Sequence, residues 1–234
     1  MVLGIIGAME VEVAHLKETM TVLEKVERAG LEFYKGRLEG LDVVVVRCGI
    51  GKVNASLCTQ ILIDLFDVDA ILNTGVAGSL DNSLEVGDLV ISTDCAHHDV
   101  DVTVLGYKPG QIPDLEYRFF EADERLQKAV VDAAMENDLD CGTIGGRICS
   151  GDQFVASVDE KKRIIETFGG ACCEMEGASI AHVATVNHVP FVIVRAISDK
   201  ADGSAMVSYP EFEKAAAYHC ATIVQGVAAK LANN

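Results

Sequence analysis

Residues 2–20 read VLGIIGAMEVEVAHLKETM, and a change of rhythm inside them decides the fold class. From Val2 to Ile6 almost every position is apolar, the pattern of a strand covered on both faces. From Met9 onward the apolar residues fall at Met9, Val13, Leu16 and Met20, at spacings of four, three and four, which line one side of a helix. The same alternation continues down the chain. Further strands are expected at 41–48, 70–74, 89–96, 147–150 and 191–197, and further helices at 53–66, 123–137, 160–168, 178–187 and 209–231. Such a succession implies an α/β protein, a three-layer α/β/α sandwich around a mixed, mostly parallel central sheet. With four prolines, no repeat and no Ser/Pro-rich linker, residues 1–234 read as a single domain. The longest irregular stretch, 97–120, is long enough to have a functional role or to lie against a partner.

Composition narrows the class of partner. The chain is 50% hydrophobic and 24% charged, too apolar for a disordered segment. Nineteen Lys+Arg against 36 Asp+Glu leave a net charge of −17, which repels polyanions and argues against nucleic acid or anionic membrane as a partner. The apolar N-terminus is short and carries no basic leader, so it reads as a strand rather than a signal or spanning segment. Eight scattered cysteines without a C-x-x-C pair, most of them in apolar runs, fit buried thiols in a reduced, cytoplasmic protein and argue against structural zinc.

Ligands of open α/β sheets bind beyond the carboxyl ends of the strands, so the polar residues there carry the functional reading. Gly4 and Gly7 fit a tight strand-to-helix turn but lack dinucleotide spacing. Glu10 and Glu12 suit the positive end of a helix, yet Glu12 also flanks the apolar stripe and could point at the strand ends. Gly75 and Gly78, just past a strand, read either as an ordinary turn or as a place where backbone approaches a ligand. In Glu174-Met175-Glu176-Gly177, helix-starting acids account comfortably for only one of the two carboxylates, and a carboxylate suits a vicinal diol. The run 191–200 ends a buried strand in Ser198-Asp199, and its Arg195 needs a carboxylate or ligand partner if buried. Two features are set aside. His97-His98-Asp99 reads as a solvated acidic loop without a second ligand cluster, and Gly49-Ile50-Gly51-Lys52 lacks the length of a phosphate loop.

Taken together, GIIGAMEVEV (4–13), RCGIGKVNA (47–55), NTGVAGSL (73–80), VGDLVIS (86–92), HHDVDVTVLGYKPGQIP (97–113), SGDQF (150–154), CCEMEGASIAHV (172–183) and VRAISDKAD (194–202) resemble the 5'-methylthioadenosine/S-adenosylhomocysteine nucleosidases, within the nucleoside phosphorylase superfamily. The resemblance runs the length of the chain in order. It implies a nucleoside phosphorylase-like fold and hydrolysis of the N-glycosidic bond of 5'-methylthioadenosine and S-adenosylhomocysteine, with 5'-deoxyadenosine as a further substrate, in methionine salvage. By the same resemblance Glu12 is the base that activates water, Asp199 the acid that protonates adenine N7, and Glu176 the acceptor of the ribose hydroxyls, with Met175 packing on the sugar. Phe154 and Val155 would clamp adenine beside Ala77 and Gly78, and Glu174, Arg195 and Ser198 would complete the substrate-binding set. Met9, Ile50 and Tyr209 would line the alkylthio pocket, while Tyr107 and Pro113 would come from the neighbouring subunit of a homodimer. No metal and no cofactor is implied. Val76 departs from the small hydroxyl residue often found near the reacting water, and Tyr209 stands where Phe is frequent.

The chemistry agrees with those assignments. Cleavage leaves positive charge on the ribose and negative charge on the base, which carboxylates and a carboxylic acid respectively relieve. The acid must hold its proton near neutral pH, which requires an apolar, enclosed setting for Asp199. Two alternatives remain. A phosphate-dependent phosphorylase would need an anion site near the sugar, for which 75–78 offers no arginine; a non-catalytic nucleoside sensor would be expected to lack Glu12 or Asp199.

Overall fold

The computed structural model describes residues 1–137 and 141–233. Its elements run β1 (Val2–Gly7), α1 (Glu10–Thr19), β2 (Thr21–Arg28), β3 (Leu31–Leu38), β4 (Leu41–Arg47), α2 (Lys52–Phe66), β5 (Ala70–Ser79), β6 (Leu89–His97), β7 (Phe120–Glu121), α3 (Glu124–Glu136), β8 (Thr143–Ser150), α4 (Val158–Phe168), β9 (Cys172–Glu174), α5 (Gly177–Val186), β10 (Phe191–Asp199) and α6 (Ala205–Ala232). β1 pairs in parallel with both β4 and β5, and β5 pairs in parallel with β10. From β10 the sheet passes antiparallel to β6, then parallel to β8 and β9, and β9 returns antiparallel to β5. The mixed sheet thus closes a ring around the far half of β5 and β10.

Alternation of side chains across the strands explains why the apolar runs are continuous. In β4, Val43 and Val45 face one apolar layer and Val44 and Val46 the other, all fully buried. Each such side chain contributes about 1.5–3 kcal/mol relative to exposure. The first layer is completed by α1, α3 and α6 through Val13, Leu16, Leu126, Val130, Ile223 and Val227. The second is completed by α2 and α5 through Ala55, Cys58, Leu62, Ile180 and Ala184. Helices therefore cover both faces of the sheet.

The structure corrects three readings. The hairpin β2–β3 is absent from the predicted strands because its first strand is almost wholly exposed and shows no apolar run; Ala29 and Gly30, at φ 52° and 75°, make its two-residue turn. Gly75 and Gly78 do not form a turn beyond β5 but lie inside it, since pairing with β10 and β9 carries that strand on to Ser79. His97 and His98 are not solvated: both are buried, with His97 edge-on to Phe120 and His182. Asp99 anchors their loop through Lys52 Nζ at 2.6 Å and the Asp152 amide at 2.9 Å. Seven cysteines are buried as free thiols, and Cys141 is half-buried. Burial pushes the thiols of Cys149 and Cys220 up to about 12 and about 11, which keeps them protonated. Among the described residues no helix is long and apolar enough to cross a membrane.

Candidate active site

Because β1, β5 and β10 run parallel, their carboxyl ends open on the same side, and a cavity of about 330 Å³ lies there. It is lined by Ala8 and Met9 after β1, Glu12 of α1, Ile50, Val76, Ala77 and Gly78 of β5, Gln153, Phe154 and Val155, Cys173 and Glu174 of β9, Met175, Glu176, Ser198 and Asp199 at the end of β10, and Tyr209 of α6. The volume falls in the range of small-molecule sites. No basic side chain stands among these described lining residues.

Glu12 sits in the first turn of α1 and folds back on the strand ends. Its Oε2 accepts the amides of Ala8 and Met9 at 2.6 and 2.9 Å, and its Oε1 accepts the Val76 amide at 3.1 Å. Burial raises its carboxyl above the usual carboxylate range, opposed by the Arg195 charge and those three amides. Gly75 makes this possible: a Cβ there would overlap both the Arg195 guanidinium and the Glu12 carboxylate.

Arg195 finds the carboxylates that its burial demands. Its Nη2 donates to Asn73 Oδ1 at 2.6 Å and to Glu174 Oε2, and lies 3.8 Å from Glu176 Oε2. It does not line the cavity but stands behind the two glutamates. Glu174 reaches the cavity wall, yet its oxygens are engaged by protein donors: Ser150 Oγ on Oε1, and Arg195 with the amides of Glu176 and Gly177 on Oε2. Glu176, by contrast, accepts only the Gly51 amide, at 2.8 Å on Oε1. Burial first, and then the Glu174 charge, push its carboxyl well up.

Asp199 closes the other side. Its Oδ1 accepts the Ala201 amide at 2.8 Å and its Oδ2 accepts Ser198 Oγ–H at 2.9 Å, but burial outweighs both and raises its carboxyl. A Cβ at Gly78 would lie 2.9 Å from Asp199 Oδ1, so glycine is what allows β5 to run this close. At the mouth, half-exposed Phe154 meets Tyr209 edge-on at 5.5 Å, and Tyr209 Oη donates to Met9 Sδ at 3.3 Å.

Of the site residues read from sequence, all but Arg195, Tyr107 and Pro113 meet at this cavity. Tyr107 and Pro113 belong to the 98–119 loop and do not reach the cavity of their own chain. Ala8, Gln153 and Cys173 line it without having been singled out. Ala8 could have been found from Gly7-Ala8-Met9, and Gln153 from its place in SGDQF; Cys173 is placed by its pairing with Gly78, which no local pattern reveals. Among the described residues no group of three or more His, Cys, Asp or Glu is arranged to hold a metal ion.

Known proteins share this architecture. The family model described as "Phosphorylase superfamily" matches residues 2–232. A 5'-methylthioadenosine/S-adenosylhomocysteine nucleosidase of Staphylococcus haemolyticus is 43% identical over 226 residues, covering 96% of this chain and 98% of that one. The crystal structure of the nucleosidase of the same name from Neisseria meningitidis, in complex with methylthio-immucillin-A, has a TM-score of 0.94 at 41% identity, covering 98% of this chain and 99% of that one. A futalosine hydrolase of Helicobacter pylori follows with a TM-score of 0.91 at 34% identity, covering 97% of this chain and 96% of that one.

Proposed function

The chain belongs to the 5'-methylthioadenosine/S-adenosylhomocysteine nucleosidases of the phosphorylase superfamily, and from that membership we propose how its own residues carry out N-glycosidic hydrolysis. Adenine lies between Phe154 and Val155, with Asp199 at N7. The ribose hydroxyls face Glu176, and the 5'-alkylthio group rests against Met9, Ile50 and Tyr209. Water attacks from the side of Glu12. As the C–N bond lengthens, Asp199 passes its proton to N7 and adenine leaves neutral, while Glu12 takes a proton from the water that adds to the sugar carbon. Acid and base transfers of this kind typically contribute about 10²–10⁴-fold each. Val76 offers no hydroxyl to that water, so Glu12 alone among the neighbouring side chains of that strand end takes its proton.

One observation carries the choice of water over phosphate. Glu12, Glu176 and Asp199 share a cavity whose described lining holds no Lys, Arg or His, and the nearby Arg195 is fully buried against Glu174. An incoming phosphate would meet the ionised Glu12 without a cation to receive it. The nucleosidases of Staphylococcus haemolyticus and Neisseria meningitidis, at 43% and 41% identity, stand nearer than the futalosine hydrolase at 34%, which favours 5'-thio substrates. Purified protein should release adenine from 5'-methylthioadenosine and from S-adenosylhomocysteine; absence of adenine from both would overturn the reading.

The assembly follows from the same account. The loop carrying Tyr107 and Pro113 projects strongly exposed Val104 and Leu105, at 92% and 68%, while cavity-lining Ile50, just before α2, and Val53 in its first turn are exposed at 52% and 78%. A second copy seated on these apolar surfaces, with its own loop over the open side of the cavity, would cover them and finish the alkylthio pocket. The functional unit is a homodimer.

A further inference from the structure

Ser150 is the last residue of β8, and the parallel pairing of β8 with β9 sets it opposite Glu174. Directly paired residues of neighbouring strands project to the same face. The fully buried Ser150 hydroxyl uses both of its capacities: it donates to Glu174 Oε1 and accepts the Ala178 amide at 2.6 Å.

These bonds settle a problem at the start of α5. The first amides of a helix lack internal partners, and a side-chain oxygen ordinarily accepts them. The capping residue of α5 is Glu176, and its side chain makes no such bond. Instead the amides of Glu176 and Gly177 go to Glu174 Oε2, at 3.0 and 2.8 Å, and that of Ala178 goes to Ser150. The cap is supplied from the neighbouring strands. Glu176 is thereby released to turn toward the cavity and the Gly51 amide.

We propose that Ser150 is a positioning residue for the sugar end of the cavity: by fixing Glu174 as the cap of α5, it frees the Glu176 carboxylate to receive the substrate's hydroxyls. This rests on reading Glu176 as the ribose acceptor. Without the serine hydroxyl, Glu174 loses one of its anchors and the Ala178 amide is left without its partner. The Glu176 carboxylate then competes for the vacated helix start and spends less time facing the sugar.

The test compares kcat/KM for 5'-methylthioadenosine with that for its 2'-deoxy analogue. A charge-linked hydrogen bond supports a loss of about tenfold or more on the ribonucleoside in Ser150→Ala, with much less on the deoxy substrate. In a Glu176→Gln background the same serine change should add little, because both act through one group. Ser150→Cys, which keeps the shape but weakens both bonds, should lower the sugar preference in the same direction, and it decides the matter if Ser150→Ala does not fold. Equal losses on both substrates, or losses that simply multiply with those of Glu176→Gln, would overturn the proposal. A native enzyme indifferent to the 2'-hydroxyl would instead overturn the ribose role of Glu176, and this proposal with it.

Discussion

In the proposed mechanism three of the four acids that line the cavity divide the labour because their surroundings differ. Glu12 is surrounded by backbone amides and faces Arg195, while Asp199 has one amide, one hydroxyl and a mostly apolar wall. Both carboxyls are raised by burial. The acid acts protonated, so the rate should fall as pH climbs through the raised pKa of Asp199. The base acts ionised, so the rate should fall as pH drops through that of Glu12. Asp199→Asn should lose about 10²–10⁴-fold in kcat together with the alkaline limb, and Glu12→Gln a similar amount together with the acid limb. Retention of both limbs in either variant, read from kcat against pH, would refute that residue's role. Gly75→Ala is a second case at this scale. Its methyl would intrude between Glu12 and Arg195, so we expect activity to fall at least tenfold and stability by about 1–3 kcal/mol in denaturant unfolding. A fully active Gly75→Ala enzyme would contradict the close packing of these two side chains.

At the scale of elements, what the sequence revealed tracks what packs locally. Apolar strands and one-faced helices announce themselves, and β1, β4, α1 and α2 fall within a residue or two of expectation. The β2–β3 hairpin does not, because its outward side chains are charged and only Ala29-Gly30 marks it. Helix α6 begins at Ala205, one turn before the predicted 209, since Pro210 reads as a helix start but lies inside it. The pair Glu174 and Glu176 was legible as an anomaly, but which acid caps α5 and which faces the cavity depends on Ser150 and Arg195, distant in sequence. That arrangement leaves two glutamates on one arginine. A carboxyl whose folded pKa is raised binds its proton more tightly when folded, so stability is greatest at low pH and declines as pH rises toward the folded value. Glu176→Gln should therefore melt higher than the native chain at neutral to alkaline pH, by roughly 2–4 °C per kcal/mol released, and no higher in acid. Equal melting temperatures at pH 8 would show that the buried charge carries no such cost.

For the whole molecule, closure of the sheet is the feature that local patterns conceal. β9 has only three residues, yet by joining β8 to β5 it completes the ring and brings Cys173, Glu174 and Met175 to the ends of β5 and β10. Such pairing depends on contacts far apart in the chain and leaves no periodic trace. The chain has 36 acidic against 19 basic residues, and among the described residues four acids line the cavity. The exposed apolar residues of 104–105 and of α2 call for a cover. Sedimentation should give twice the chain mass, and Val104→Asp should lower association and activity together; a fully active monomer would refute the shared pocket.

The central claim is that water, not phosphate, receives the sugar. It is tested most directly by following adenine release from 5'-methylthioadenosine while phosphate is raised from none to well above cellular levels. The account predicts an unchanged rate and free 5-methylthioribose throughout. Turnover that requires phosphate and yields the sugar 1-phosphate would contradict it.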